Sequence, residues 1–275
     1  VEINSALDAS GNELVGTSSL TYILDNTAAE IELSSTSSSE YVRSGEEILI
    51  KVFLSEPVLQ APTIFIGNIN QEMTATDSPT LWNYLWEVPQ EANGSYTASV
   101  VAIDNAGNKS FTNNSQILNY VVDDNPPVIE NISVSSSNGS VTIKFSDNVF
   151  SSYENNIASG ELVREDFNLE IDGGTASLVN STPDLIEFDT DSYILFFSTE
   201  GITTGSEKLT VNINANSIFD SAGNTAETIQ ASATIYLFDV DAPRIIEGEV
   251  INNTTLSITL NELAYLSDQS SISSE

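Results

Sequence analysis

Carboxylates and amides recur in this chain at matched places, and oxygen-rich groups of that kind suit a hard cation. One stretch is written three times, as Asp8-Ala9-Ser10-Gly11-Asn12, Asp104-Asn105-Ala106-Gly107-Asn108 and Asp220-Ser221-Ala222-Gly223-Asn224. Each copy leads through a short apolar run to Tyr-x-x-Asp, ending on Asp25, Asp123 and Asp239. A second echo puts an acid after a small polar residue where a core strand ends, at Ser55-Glu56, Ser146-Asp147 and Asn261-Glu262. Calcium takes about six to eight oxygens from carboxylates, amides and backbone carbonyls, and a glycine allows the tight turn that would aim Asp and Asn together. The candidate ligands are therefore Asp25, Glu56, Asp104 and Asn108 at a first site and Asp123, Asp124, Asp147, Asp220 and Asn224 at a second. A third set, Asp239, Asp241 and Glu262, lacks its closing turn and is expected to bind poorly. Asp, Asn and Gly are also good turn formers, so solvated loops are the competing reading, and the spacing lacks the density of an EF-hand.

The elements that must position these residues are short strands. The closing aspartates are 98 residues apart (123−25) and then 116 (239−123), a spacing that suits one small domain per period. The expected boundaries are residues 1–24 as the end of a preceding domain, whole domains at 25–122 and 123–238, and the beginning of another at 239–275. Just past the closing aspartates stand Asn26-Thr27-Ala28, Asn125-Pro126-Pro127 and Asp241-Ala242-Pro243, joints where proline favours extended backbone and cannot continue a ladder. Alternating runs such as Glu47 to Leu54, Thr63 to Ile66, Leu81 to Val88 and Tyr96 to Ile103 predict strands in the first domain. Val141 to Phe145, Phe167 to Ile171, Ile186 to Phe188, Tyr193 to Phe197 and Leu209 to Ile213 repeat the plan. Residues 151–166 predict an inserted loop with a helical turn near 160–166, and Leu20 to Leu24 a last strand of the preceding domain. Many short strands with turns between them predict an all-β chain of antiparallel sandwiches arranged end to end. In a seven-strand sandwich the chain entry and the second-to-third and sixth-to-seventh connections share one pole, which gathers the acids of each set.

Composition excludes several function classes. Forty acidic residues against seven basic ones give a net charge of −33, which opposes nucleic acid and anionic surfaces. Cysteine and histidine are both absent, which removes disulfides, the usual zinc and iron ligands and the usual catalytic base. Lys51, Lys109, Lys144 and Lys208 are the lysines left for a Ser-Lys arrangement, and Lys51 and Lys144 fall in predicted strands, so no enzyme is expected. No apolar run reaches the length of a membrane span. Trp82, Tyr84 and Trp86 alternate on one strand. They could form a flat platform for sugar rings, but an inner face needs large apolar residues and this strand supplies them. Sequons at Asn93, Asn131, Asn138 and Asn253 arise by chance in a chain so rich in Asn and Ser.

The Asp-x-Ala-Gly-Asn turn, the Asp-Asn-Thr-Ala or Asp-x-Ala-Pro joint and the strand end Ser55-Glu56-Pro57-Val58 resemble bacterial immunoglobulin-like repeats of large surface proteins and adhesins. Residues 25–122 are similar to an ordinary member. Residues 123–238, with Phe145-Ser146-Asp147-Asn148-Val149-Phe150 and Glu165-Asp166-Phe167, resemble a longer variant found in cyanobacterial and other surface and motility proteins. The resemblance implies tandem immunoglobulin-like sandwiches in an extracellular stalk or adhesin, often stiffened by calcium, with neighbouring domains of the same chain as partners. A cell-surface or polysaccharide ligand would then be met through other domains. A carbohydrate-recognition module of a secreted enzyme is the alternative.

Overall fold

The computed structural model describes residues 2–3, 6–15, 18–19, 21–90, 92–113, 115–230 and 233–265. It divides into two compact units, Val1–Asp124 and Asn125–Glu275. Both are built largely from antiparallel strand pairs, and among the described residues the single helical element is a 3-10 turn at Arg164–Asp166.

In the first unit the strand Glu47–Leu54 buries Ile48, Ile50, Val52 and Leu54 on alternate positions, the period of two that a half-buried strand requires. It pairs with Ile31–Ser35 on one side and Leu81–Glu87 on the other, and Thr74–Ala75 completes that sheet. The facing sheet is centred on Gly94–Ile103, between Leu118–Val122 and Thr63–Ile66, with Ile69–Glu72 outside. Tyr41–Val42 runs parallel to Leu118–Val122. Two sheets with facing apolar sides make the sandwich, and Trp86 lies fully buried in its core. Its ring centre stands 5.0 Å from that of Tyr120 and 5.7 Å from that of Tyr96. Trp82 and Tyr84 pack partly buried against the same core, so the aromatic alternation on this strand is an inner face and no sugar platform.

One pole of this sandwich collects the connections that matter. Leu59 N–H donates to the Ile103 carbonyl at 3.1 Å, and Val58 bridges Asp104, so the Leu54-to-Thr63 and Ile103-to-Lys109 connections lie side by side. Residues 21–24 carry no strand, Tyr22 to Leu24 are exposed, and Leu20 of the expected last strand lies outside the described residues. The strand pairing before the joint is instead Glu2–Ile3 with Ser18–Ser19.

The second unit repeats the plan. Ile129–Val134, Ser140–Phe145, Ser192–Phe196 and Leu185–Asp189 form one sheet, and Phe167–Asp172, Lys208–Ile213 and Thr234–Tyr236 the other. Ile143, Phe167, Leu195, Leu209 and Ile213 fill the space between. The expected inserted loop is a hairpin, Ser152–Glu154 against Ile157–Ser159, followed by the 3-10 turn. Asn155 and Asn156 make its two-residue turn with φ of 51° and 61°, a pair of positive values that asparagine tolerates well. A further hairpin, Ile245–Asn252 with Thr255–Leu260, follows the second joint.

Glu207 is a fully buried carboxylate at the edge of the second core. Its Oε1 accepts from Thr175 N–H at 2.7 Å and Ala176 N–H at 3.1 Å, and its Oε2 from Thr204 N–H at 2.8 Å. Burial alone would raise its pKa, but the Thr175, Thr204 and Ala176 amides overcome that and hold it at about 2. Gly174 explains itself here, since a Cβ at that position would stand 2.0 Å from Oε1 and its φ is +60°. The backbone must come that close for its amides to close on the carboxylate.

Candidate metal centre at the first joint

The thrice-written turn folds the same way each time. Asp104 Oδ1 accepts from Ala106 N–H at 2.9 Å and Asn108 N–H at 2.8 Å, while Asn108 Nδ2 donates to Asp104 Oδ2 at 2.8 Å. The corresponding distances are 2.8, 2.9 and 2.7 Å at Asp8 and 2.9, 2.8 and 2.8 Å at Asp220. Gly11, Gly107 and Gly223 take φ of 86°, 92° and 88°, which is why glycine stands there. Burial pushes the Asp104 carboxyl up, but the Asn108 side chain and the turn amides win and leave its pKa below the usual value. The turn is a clasp first, with Asp and Asn spent largely on each other.

The clasp also shows what the amide nitrogens of the two asparagines do. Asn108 Nδ2 also donates to the carbonyls of Asp25 at 3.2 Å and Thr27 at 3.3 Å, so it presents a donor nitrogen to the joint and ties it down. Asn224 likewise turns its Nδ2 to Asp220 Oδ2. In both, the amide nitrogen serves as the donor, so any cation would be met through the side-chain oxygen.

The second echo has a structural cause that sequence reasoning missed. Ser55 N–H donates to the Glu30 carbonyl at 3.0 Å and Ser55 Oγ accepts from Glu30 N–H at 2.8 Å. Ser146 closes on Val128 and Asn261 on Arg244 by the same two bonds. In all three places the small polar residue is an extra rung between two paired strands. The recurrence of the polar residue beside the acid was the available signal. The acid that follows is thereby aimed from a fixed point.

At the first joint the acids converge. Ligand oxygens of Asp25, Glu56 and Asp104 lie within 4.8 Å of one another, the one such trio among the described residues. Asp25 comes from the chain entry, where its Oδ1 accepts from Thr27 N–H at 3.0 Å, Glu56 from the strand end and Asp104 from the clasp. Asp104 is fully buried. Desolvation, and then the charges of Asp25 and Asp104, raise the Glu56 pKa, the mark of a carboxylate held against like charge. The trio fits calcium: its oxygens sit about 2.3–2.6 Å from the ion, so two ligand oxygens stand at most about 5 Å apart. Three carboxylates from three separate connections already satisfy that span.

The other expected ligands are placed differently. Asp123 and Asp124 belong to the first unit, where Asp123 N–H donates to the Val42 carbonyl at 3.0 Å. Asp124 is turned to Ser44, whose N–H donates to Oδ1 at 2.8 Å and whose hydroxyl donates to Oδ2, so it ties the end of the last strand to Ser44. In the second unit Asp220 is buried in its clasp, and exposed Asp147 accepts from Ser146 Oγ at 2.6 Å. In the third set Asp239 Oδ1 accepts from Asp241 N–H at 2.9 Å. Asp241 accepts from Arg244 Nη1 at 2.7 Å and Asn261 Nδ2 at 2.9 Å, so a guanidinium already serves it. Burial, then the Asp239 charge, raises the Glu262 pKa.

No protein-family model matches the chain, and no curated protein matches it. Solved structures that it resembles include the fibronectin(III)-like modules of CbhA from Clostridium thermocellum, at 15% identity over 76% of this chain and 94% of that one, with a TM-score of 0.30. A tetra-tandem repeat in the extending region of a large adhesion protein is 16% identical over 88% of this chain and 56% of that one, with a TM-score of 0.33. A calcium-stabilized adhesin with which an Antarctic bacterium binds ice is 17% identical over 84% and 53%, with a TM-score of 0.31. The chain spans about half the length of these two adhesin structures. No helix among the described residues is long and apolar enough to cross a membrane.

Proposed function

We propose that this chain is a non-catalytic spacer segment of a secreted or cell-surface multidomain protein of adhesin or surface-layer type, with domains near 25–122 and 123–238 serving as its beads. Calcium bound at the Asp25, Glu56 and Asp104 pole fixes the joint that enters the first bead. The convergence of those three carboxylates carries the reading. Without a cation the like charges of the trio repel one another. A divalent ion reverses that sign and draws chain entry, strand end and clasp together. The Asn108 bonds to the Asp25 and Thr27 carbonyls already hold the joint against the clasp, so bound calcium adds stiffness to a preformed arrangement.

Melting curves with calcium and with EGTA test this. At a hundredfold excess over the dissociation constant, calcium stabilises the first unit by about 2.7 kcal/mol and raises its melting temperature. Glu56→Gln removes one ligand charge without touching the clasp, and it abolishes most of the rise. Equal melting with calcium and EGTA would reduce the trio to solvated loops.

A further inference from the structure

We propose that the second unit carries a groove for a neutral oligosaccharide, running over the ring pair Phe188 and Tyr193. The inference is independent of the calcium reading. The two residues stand directly opposite each other on adjacent strands, with ring centres 5.0 Å apart. Phe145 braces Tyr193 edge-on at 6.1 Å, yet Phe188 remains 63% exposed, an unfavourable setting for a large apolar ring that has nothing to cover it. Two recesses meet at this pair, one of about 570 Å³ and one of about 310 Å³, and both are lined by Phe188 and Tyr193. Each lies within the range of small-ligand sites, and an extended ligand crossing the rings occupies both.

The polar rim says which ligand. Lys144 Nζ donates to Asp191 Oδ2 at 2.6 Å, so a cationic donor and an anionic acceptor stand side by side in the larger recess, where Asp147, Asn148 and Thr190 add further polar atoms. Neighbouring hydroxyls of a sugar ring both donate and accept, and such mixed groups serve them at once. The CH face of the same ring covers an exposed aromatic face. Thr190 takes φ of 60°, a region that a β-branched residue rarely enters, and strain of this kind gathers at ligand clamps. It makes the tight turn that sets Phe188 and Asp191 on one rim. The net charge of −33 turns away polyanions.

Titration of the protein with cellohexaose, xylohexaose and mannohexaose, followed by amide resonances and by calorimetry, tests the groove. With ligand up to about 10 mM, which reveals millimolar dissociation constants, at least one hexaose shifts resonances of residues 185–196. Phe188→Ala then weakens that binding by about tenfold or more, in line with the contribution of one stacked ring, while Phe188→Tyr keeps it and neither variant changes the melting temperature. The proposal falls if no hexaose moves those resonances, if Phe188→Ala binds as tightly as the parent, or if decalysine occupies the groove while the sugars do not.

Discussion

Trp86→Ala is expected to cost the first unit about 3–5 kcal/mol, as full removal of a buried tryptophan does. The residue is 0% exposed and its ring touches Tyr96 and Tyr120, so the substitution leaves a large cavity and breaks two aromatic contacts in the same step. Against a margin of about 5–15 kcal/mol, that loss brings the unit close to unfolding at physiological temperature. Both tryptophans of the chain, Trp82 and Trp86, lie in the first unit. Denaturant titration followed by the remaining Trp82 therefore reports on that unit alone. A midpoint within experimental scatter of the parent's would mean that the aromatic strand is no core element.

Glu207→Ala is expected to destabilise the second unit by about 1–3 kcal/mol, because it strands the buried Ala176 N–H and the part-buried N–H groups of Thr175 and Thr204. Thr175, Ala176 and Thr204 all lose their acceptor together. The charge also sets an acid limb. The folded carboxyl titrates at about 2 against an ordinary 4.5, so its contribution is complete above pH 4.5 and is lost as pH falls toward 2. Glu207→Gln keeps the shape and removes the proton linkage. The pH dependence of the second unit's melting, followed by calorimetry with the first unit's transition identified by its tryptophan fluorescence, becomes flatter between those two pH values in that variant, and an unchanged slope would place the acid response elsewhere.

The strands were legible because their apolar residues alternate without interruption. Glu47–Leu54 and Ser140–Phe145 bury every second side chain, and the resulting sandwich places Asp25, Glu56 and Asp104 at one pole, as strand counting requires. The hairpin at 152–159 was less visible because its strands are three residues each and rich in serine, although Asn155-Asn156 is a two-residue turn signal. What repetition could not reveal was the division of labour within each motif. The recurring Asp and Asn are matched because they bond each other, and the recurring Ser or Asn before each acid because it adds a rung. A motif reused for its own hydrogen bonds looks the same in sequence as one reused for a ligand. Glu207 was missed because its partners are amides at positions 175, 176 and 204, and backbone groups leave no trace in residue type. The Gly173-Gly174 pair, a turn signal by residue type, is the nearest hint the sequence carries.

One calcium ion is proposed to sit among the Asp25, Glu56 and Asp104 carboxylates. A crystal grown with calcium, with anomalous differences measured at long wavelength, tests it most directly. The account predicts a peak with oxygens of all three residues at about 2.3–2.6 Å and no matching peak in Glu56→Gln crystals. A map without density at that pole, or a calcium peak there that persists unchanged in the variant, would contradict it.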